Sequence, residues 1–157
     1  MADAGEMTGG CLCGAVRFTL HQRPANIDVC HCSMCRKFSG GIELGVDADP
    51  DSIDWQGEEN IQIYASSDWA ERSFCRICGS GLFWRTRRRL GNGETLFGLC
   101  AGAIDDLGDL KLTSEIYIDH KPAGYAFAGA TDKKTQAEAE AEYAAPADGG
   151  KNDQIRH

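Results

Sequence analysis

Short stretches of alternating apolar and polar residues recur along the first 120 positions of the chain. Val16, Phe18 and Leu20 alternate with Arg17 and Thr19, the pattern of a strand with one buried face. Comparable stretches predict seven further strands, over 27–30, 42–46, 61–64, 72–74, 82–85, 94–99 and 114–118. The pair 82–85 and 94–99 predicts a hairpin, and 36–41 predicts a short helical turn and loop. The chain is therefore predicted to be mainly β.

The alternation ends near residue 131. From there to the C-terminus only Tyr143 and Ile155 are large apolar side chains. Segment 136–142 has helix propensity but no apolar stripe, so we expect it to pack weakly. We therefore divide the chain into a flexible leader, a folded domain and a polar tail, over 1–9, 10–130 and 131–157.

Size and charge narrow the classes of function. A chain of 157 residues with 42% hydrophobic content predicts one globular domain with a proper core. The net charge of −8 argues against a nucleic-acid partner bound through its phosphates. No apolar run approaches membrane-spanning length, and the first seven residues lack the pattern of a signal peptide. We expect a cytoplasmic protein without a membrane partner, and a homo-oligomer stays possible.

The chain contains eight cysteines. In a reducing compartment this density favours metal binding over disulfides. A small disulfide-bonded scaffold is the alternative, but it fits poorly with the absence of an export signal and with the tight clustering. The cysteines are Cys11, Cys13, Cys30, Cys32, Cys35, Cys75, Cys78 and Cys100.

Three cysteines lie within six residues, at Cys30, Cys32 and Cys35. Thiolates this close repel one another unless a cation lies among them, and soft Zn²⁺ is the usual one. The stretch supplies no fourth cysteine. A zinc with three protein ligands keeps an open position, which is the arrangement of catalytic zinc sites.

A second group combines Cys75 and Cys78 with Cys11 and Cys13. Alone, the C-x-x-C pair could be a thioredoxin-type redox motif. It follows a strand, precedes Gly79 and lacks the helix start that such a motif needs. A closed, structural zinc site of four cysteines is the better interpretation.

Several other side chains are weaker candidates. His31 lies between two ligands on an extended segment, so we expect its side chain to point away from the metal and to pack or to support a ligand. His21 or His120 could complete the three-cysteine site and make it structural, although neither has a supporting spacing. Arg36 and Lys37 could meet substrate carboxylates, and a solvated surface position explains them equally well.

Two further features have simple explanations. Arg87, Arg88 and Arg89 could grip an anionic substrate, but a solvated hairpin tip is favoured. Cys100 has no cysteine neighbour and is interpreted as a small buried apolar residue. Its surroundings in the sequence also lack the arginine-tyrosine-cysteine context of a methionine sulfoxide reductase, which disfavours that activity.

Four motifs together resemble the glutathione-dependent formaldehyde-activating family, which includes the centromere protein V-like proteins. The resemblance covers roughly residues 5–128 and rests on 10–14, 30–37, 75–79 and 103–106. It implies an Mss4-like β-tent of antiparallel sheets with two zinc ions per chain. It implies a structural zinc on Cys11, Cys13, Cys75 and Cys78 and a second, catalytic zinc on Cys30, Cys32 and Cys35.

The resemblance also implies a carbon–sulfur lyase that joins formaldehyde, or a related small aldehyde, to glutathione and forms S-hydroxymethylglutathione. Three thiolates leave a zinc centre at a formal charge of −1, so it suits the binding of a sulfur nucleophile better than the making of hydroxide. A non-catalytic zinc-binding scaffold of the same fold is the alternative. A fourth protein ligand at the three-cysteine site would favour the scaffold, and an open position would favour the enzyme.

Overall fold

The structure is a computed structural model, and it describes residues 5–144. In this range the chain forms eleven strands and two α-helices. The strands are β1 (Met7–Gly10), β2 (Arg17–Leu20), β3 (Ile27–Cys30), β4 (Glu43–Asp47), β5 (Ile53–Gln56), β6 (Ile61–Ala65), β7 (Ala70–Cys75), β8 (Gly81–Thr86), β9 (Phe97–Cys100), β10 (Leu112–Ile116) and β11 (Asp132–Lys134). The helices are α1 (Ser33–Ser39) and α2 (Gln136–Tyr143).

The strands form two sheets. One has three antiparallel strands in the order β1-β2-β5, and the other has eight in the order β11-β10-β3-β4-β9-β8-β7-β6. The predicted mainly β fold is confirmed. The larger sheet is not wholly antiparallel, because β10 runs parallel to both β3 and β11. The predicted hairpin is formed by β8 and β9, with Phe83 opposite Leu99.

A chain of aromatic contacts joins the two sheets. Phe18 on β2 packs against Trp55 on β5, with ring centroids 5.2 Å apart, and Trp55 packs against Phe83 on β8 at 5.5 Å. Phe83 in turn stacks on Phe97 at 4.9 Å. These rings and the fully buried Leu99 belong to the main core, so the apolar faces predicted from the alternation do meet one another.

The structure differs from the predicted leader. Met7–Gly10 is a strand that pairs with β2, and Met7 is buried. A Cβ atom on Gly9 would lie 2.3 Å from both the carbonyl oxygen of Ala103 and the ring of Phe18. Glycine is therefore needed there for close approach, and a sequence such as Met-Thr-Gly-Gly carries little strand signal.

The structure also differs from the predicted tail. Residues 132–134 form β11 and extend the large sheet beside β10. Helix α2 begins with a capping box, in which Thr135 and Glu138 cap each other's backbone N–H groups. Ala139 is only 1% exposed. Residues 132–143 therefore form regular elements that lie on the folded domain, while the strength of their packing stays a prediction and 145–157 lie outside the described residues.

Neither helix in the described range has the length and apolar character needed to cross a membrane.

Candidate metal centres

Four cysteines from two distant parts of the chain meet in what we call the first cluster. Cys11 and Cys13 follow β1, Cys75 ends β7, and Cys78 lies in the turn after it. All four sulfur atoms lie within 4.8 Å of one another, with 3.5 Å between Cys11 and Cys13 and 3.8 Å between Cys13 and Cys75. Sulfur atoms in a tetrahedral zinc site with bonds of about 2.3 Å are about 3.8 Å apart. The donor set therefore fits a closed zinc site.

The backbone around the first cluster points N–H groups at the sulfur atoms. The amide of Val16 donates to Cys11 Sγ at 3.2 Å, and the amide of Ile77 donates to Cys75 Sγ at 3.4 Å. Gly79 has a φ of +79° and donates its amide to the carbonyl of Cys75 at 2.8 Å. A glycine is favoured in this left-handed conformation, and it lets the chain turn back around the sulfur atoms.

The other three cysteines form the second cluster at the junction of β3 and α1. Cys30 is the last residue of β3, Cys32 is the N-cap of α1, and Cys35 lies in its first turn. Their sulfur atoms also lie within 4.8 Å of one another. The Cys35 amide donates to Cys32 Sγ at 3.3 Å. The predicted helical turn is thus present, but it begins at Ser33, inside the cysteine motif.

The acidity of the thiols differs from one cysteine to the next, and within the first cluster alone the pKa of Cys13 is raised to about 11 while that of Cys11 is lowered. Hydrogen bonds from the hydroxyl and the backbone of Ser80 lower the pKa of Cys78 to about 5. In the second cluster, hydrogen bonding to Cys32 and Cys35, together with burial, raises the pKa of Cys30 far above its usual range. Three thiols this close, two of them buried, keep protons unless a cation replaces them. Soft, closely spaced sulfur donors fit zinc, which would supply that charge.

A buried arginine lies against the second cluster. The Nη2 atom of Arg72, on β7, donates to Cys35 Sγ at 3.1 Å, and Nη1 donates to Ser66 Oγ at 2.6 Å. The guanidinium also lies 5.9 Å from the centre of the Phe38 ring. A fixed positive charge therefore faces one sulfur of this cluster.

His31 supports the second cluster from behind. Its ring is buried, with Nε2 2.8 Å from Glu115 Oε1 and Nδ1 3.2 Å from the Tyr125 hydroxyl. Both ring nitrogens thus contact groups outside the second cluster, which agrees with the expected supporting role of His31. His21 instead contacts acidic side chains, and His120 contacts Gln136. In the part of the chain that is described, neither joins the second cluster.

Helix α2 covers one side of the second cluster. Ala139 packs into a small core with Cys32, Cys35 and Tyr117. Burial, and to a lesser degree the charge of Glu140, raises the pKa of Tyr117 well above its usual range. The segment predicted to be a tail is thus part of the wall around the candidate site.

A cleft of about 890 Å³ extends from the first cluster to the end of α1. Its lining includes Cys11 of the first cluster and Phe38 of α1. Inside it, the Cys100 thiol donates to Glu43 Oε1 at 3.4 Å. Burial raises the pKa of both groups. Cys100 is therefore not the purely apolar core residue that the sequence suggested.

The basic residues proposed for substrate binding lie elsewhere on the surface. Arg36 and Lys37 are exposed on α1. Arg87 approaches Glu71, with 3.9 Å between Nε and Oε2, and Arg89 donates to the carbonyl of Gly93 at 3.0 Å. All three arginines near the hairpin tip are exposed, and the solvated tip and the anion-binding role both stay predictions.

The profile of the glutathione-dependent formaldehyde-activating enzyme family matches residues 6–120, which include all seven cysteines of the two clusters. The chain belongs to this family.

Relatives and a solved structure agree with the membership. A protein of Schizosaccharomyces pombe, named an uncharacterized lyase, is 29% identical over 130 residues, which span 83% of this chain and 91% of that protein. A Halomonas elongata protein, provisionally named a glutathione-dependent formaldehyde-activating enzyme, is 35% identical over 85 residues, or 49% of this chain and 54% of that one. A crystal structure of a Rhodobacter sphaeroides protein matches 68% of this chain and 100% of its own, with 27% identity and a TM-score of 0.50.

Sequence reasoning missed two charged residues at this family member's candidate site. Arg72 was only part of a predicted strand, and Glu43 was only the polar position of an alternating one. Arg72 is 7% exposed, and a charge in a buried strand calls for a partner. The sequence does not reveal that partner, because Cys35 lies 37 residues away.

Proposed function

We propose that this protein is a zinc-dependent carbon–sulfur lyase that joins formaldehyde, or a related small aldehyde, to the thiol of glutathione. The product is S-hydroxymethylglutathione. Cys30, Cys32 and Cys35 would hold the catalytic zinc, and the first cluster would hold a structural one. The family membership and the names of the relatives support this class of reaction.

One observation carries the proposal. Among residues 5–144, the second cluster consists of three cysteines, and no histidine, further cysteine or carboxylate supplies a fourth donor. A zinc held by three protein ligands leaves room for a substrate ligand, whereas the first cluster supplies a full set of four. This difference favours an enzyme over a purely structural protein.

The reaction needs no oxidant or reductant. The sulfur of the thiol forms a bond to the carbonyl carbon, the electron pair of the C=O π bond moves to oxygen, and that oxygen takes the proton that sulfur gives up. When bound, zinc supplies a positive centre that lowers the pKa of a substrate thiol. The cysteines fix the place of that centre, and Arg72 lies at one of its sulfur atoms.

Exchange NMR of the hydroxymethyl group tests the proposal. Formaldehyde and glutathione also combine without an enzyme, so catalysis must show itself as faster exchange at an unchanged equilibrium. We expect the protein to accelerate exchange, and Cys32→Ser and zinc-stripped protein to lose the effect while the Cys32→Ser variant keeps its first zinc. Equal rates with and without protein, across several thiols and aldehydes, would exclude the lyase and favour the scaffold.

A further inference from the structure

Arg72 is a buried cation whose surroundings contain sulfur but no paired carboxylate. Its guanidinium contacts Cys35 Sγ at 3.1 Å, Ser66 Oγ at 2.6 Å and Met34 Sδ at 2.9 Å. Within residues 5–144, no salt bridge joins it to an aspartate or a glutamate. Burial raises the pKa of the nearby Glu43 carboxylate, and the charge of Arg72 lowers it in part. A buried charge without a direct ion-pair partner is costly. The Cys35 sulfur is therefore the contact that calls for an explanation.

The position of Arg72 is fixed by the sheet below α1. The strand β7 changes register against β8 between Arg72 and Phe74. At this irregularity Ser73 is locked to Phe83, donating to its carbonyl at 3.1 Å and accepting from its amide at 3.0 Å. The ring of Phe74 contacts Phe38 of α1 at 6.2 Å between centroids. Arg72 thus reaches Cys35 from a rigid element.

The charges of the second cluster explain the contact. Three thiolates and one Zn²⁺ sum to a charge of −1, and one guanidinium brings the total to zero. When a substrate thiolate enters, the centre with Arg72 carries a charge of −1, and without Arg72 it would carry −2. Because the site is buried, each uncompensated charge opposes both metal binding and thiolate binding.

We propose that Arg72 is the counter-ion of the second metal centre and a positioning residue for Cys35. It holds this sulfur by a charge-assisted hydrogen bond, and its positive charge reduces the electrostatic repulsion of an anionic sulfur ligand that binds the metal. This inference rests on the proposed metal at Cys30, Cys32 and Cys35. It adds a specificity role that the cysteines themselves do not supply.

Metal binding itself provides the test, without any measurement of activity. The wild type, Arg72→Met, Arg72→Lys and the control Arg85→Met are stripped of metal and titrated with Zn²⁺ in competition with a chromophoric chelator. Arg85 is a suitable control because it lies on the neighbouring β8, pairs with Glu71 at 2.6 Å and contacts neither cluster. Titration with Co²⁺ then reports the sulfur-to-metal charge-transfer band, and added glutathione reports entry of a thiolate.

We expect Arg72→Met to weaken zinc binding at the second cluster by about 10- to 100-fold, the usual effect of losing a partner of a metal ligand. It should also shift the charge-transfer band and lower the affinity of the metal centre for glutathione, because the substitution removes both the hydrogen bond to Cys35 and the positive charge of the guanidinium. Arg72→Lys should recover part of the zinc affinity, because lysine keeps the positive charge but cannot reproduce the planar guanidinium that contacts Cys35 and Ser66 at once. Arg85→Met should bind zinc with wild-type affinity at both clusters, and the zinc affinity of the first cluster should be the same in every variant.

Equal zinc affinity and an unshifted band in Arg72→Met would overturn the inference. If Arg72→Met does not fold, Arg72→Lys decides: a shifted band with intermediate affinity supports the role, and wild-type values refute it. Wild-type protein that binds metal only at the first cluster would instead remove the proposed function, and the inference with it. Failure of Arg72 alone and failure of the lyase are thereby distinguished.

Discussion

Replacing Glu115 tests how the second cluster is held in place. This carboxylate is 2% exposed. Its Oε1 atom lies 2.8 Å from His31 Nε2, while Oε2 accepts from the Thr131 hydroxyl and lies 3.5 Å from Lys133 Nζ. Glu115 therefore joins His31, between the second-cluster residues Cys30 and Cys32, to the start of the C-terminal segment. Its loss should loosen both.

The contacts of Glu115 predict how much each of three substitutions lowers the free energy of unfolding. Glu115→Ala leaves buried His31 without its carboxylate, at about 1–3 kcal/mol, and Thr131 without its acceptor, at about 1 kcal/mol more. We expect a loss of about 2–4 kcal/mol in the free energy of unfolding. Glu115→Gln keeps an amide oxygen for His31, but its NH2 group cannot accept from the Thr131 hydroxyl or pair with Lys133. It should therefore cost about 1–2 kcal/mol. Lys133→Met should cost at most about 1 kcal/mol, because the lysine side chain is half exposed.

Urea unfolding at neutral pH, in a buffer that fixes free zinc, measures these differences. Burial raises the pKa of Glu115, but hydrogen bonds from Thr131 and His31 outweigh it and the net pKa is lowered. A carboxylate with a lowered pKa contributes its full stability above the pKa of the unfolded chain and loses it as the pH falls. The effect should therefore be complete at pH 7.5. A cost below about 1 kcal/mol for Glu115→Ala, or an equal cost for Lys133→Met, would refute the reasoning.

Three further predictions concern the metals and the ends of the fold. Elemental analysis should find two zinc ions per chain. Cys75→Ser should unfold the protein, because binding of a structural zinc supplies about 10–16 kcal/mol of folding free energy. Cys32→Ser should lose one zinc ion and keep the circular dichroism spectrum of the wild type. Deleting the chain from residue 132 onward should lower the stability by about 2–4 kcal/mol in urea unfolding, through several lost hydrogen bonds of about 1 kcal/mol each; an unchanged value would restore the view of a loose tail. Gly9→Ala should cost about 1–3 kcal/mol by the same measurement, and its control Gly5→Ala, which meets no atom within 4 Å, should cost little.

Strands and the two cysteine clusters were predictable because both leave local signals. Alternation of apolar and polar residues identified β2 from Val16, Phe18 and Leu20, and it does so wherever a strand has one buried face. Cysteines two or three residues apart are rare unless they share a metal, so their spacing identified both clusters before any fold was known. The parallel pairing of β10 was not predictable, since neighbours in a sheet are chosen by tertiary contacts.

Arg72 and Glu43 show where the reasoning stopped. In each case the residue type is ordinary and the meaning lies in a neighbour that is distant in sequence, Cys35 for Arg72 and Cys100 for Glu43. An alternating pattern assigns a polar residue in a strand to the solvent face. Where a helix such as α1 covers that face, the polar residue becomes part of a buried site.

The C-terminal helix shows that a segment of low apolar content can still lie on the folded domain. α2 buries little more than the methyl group of Ala139, and a small side chain fits there because Cys32 and Cys35 lie directly below it. Polar contacts supply the other interactions of α2. The backbone N–H of Gln136 donates to Asp119 Oδ1 at 2.9 Å, and the side-chain Oε1 of Gln136 lies 2.8 Å from His120 Nε2. The apolar-stripe criterion counts only hydrophobic burial. It misses a helix held by its cap and by hydrogen bonds, which is how this segment comes to cover the second cluster.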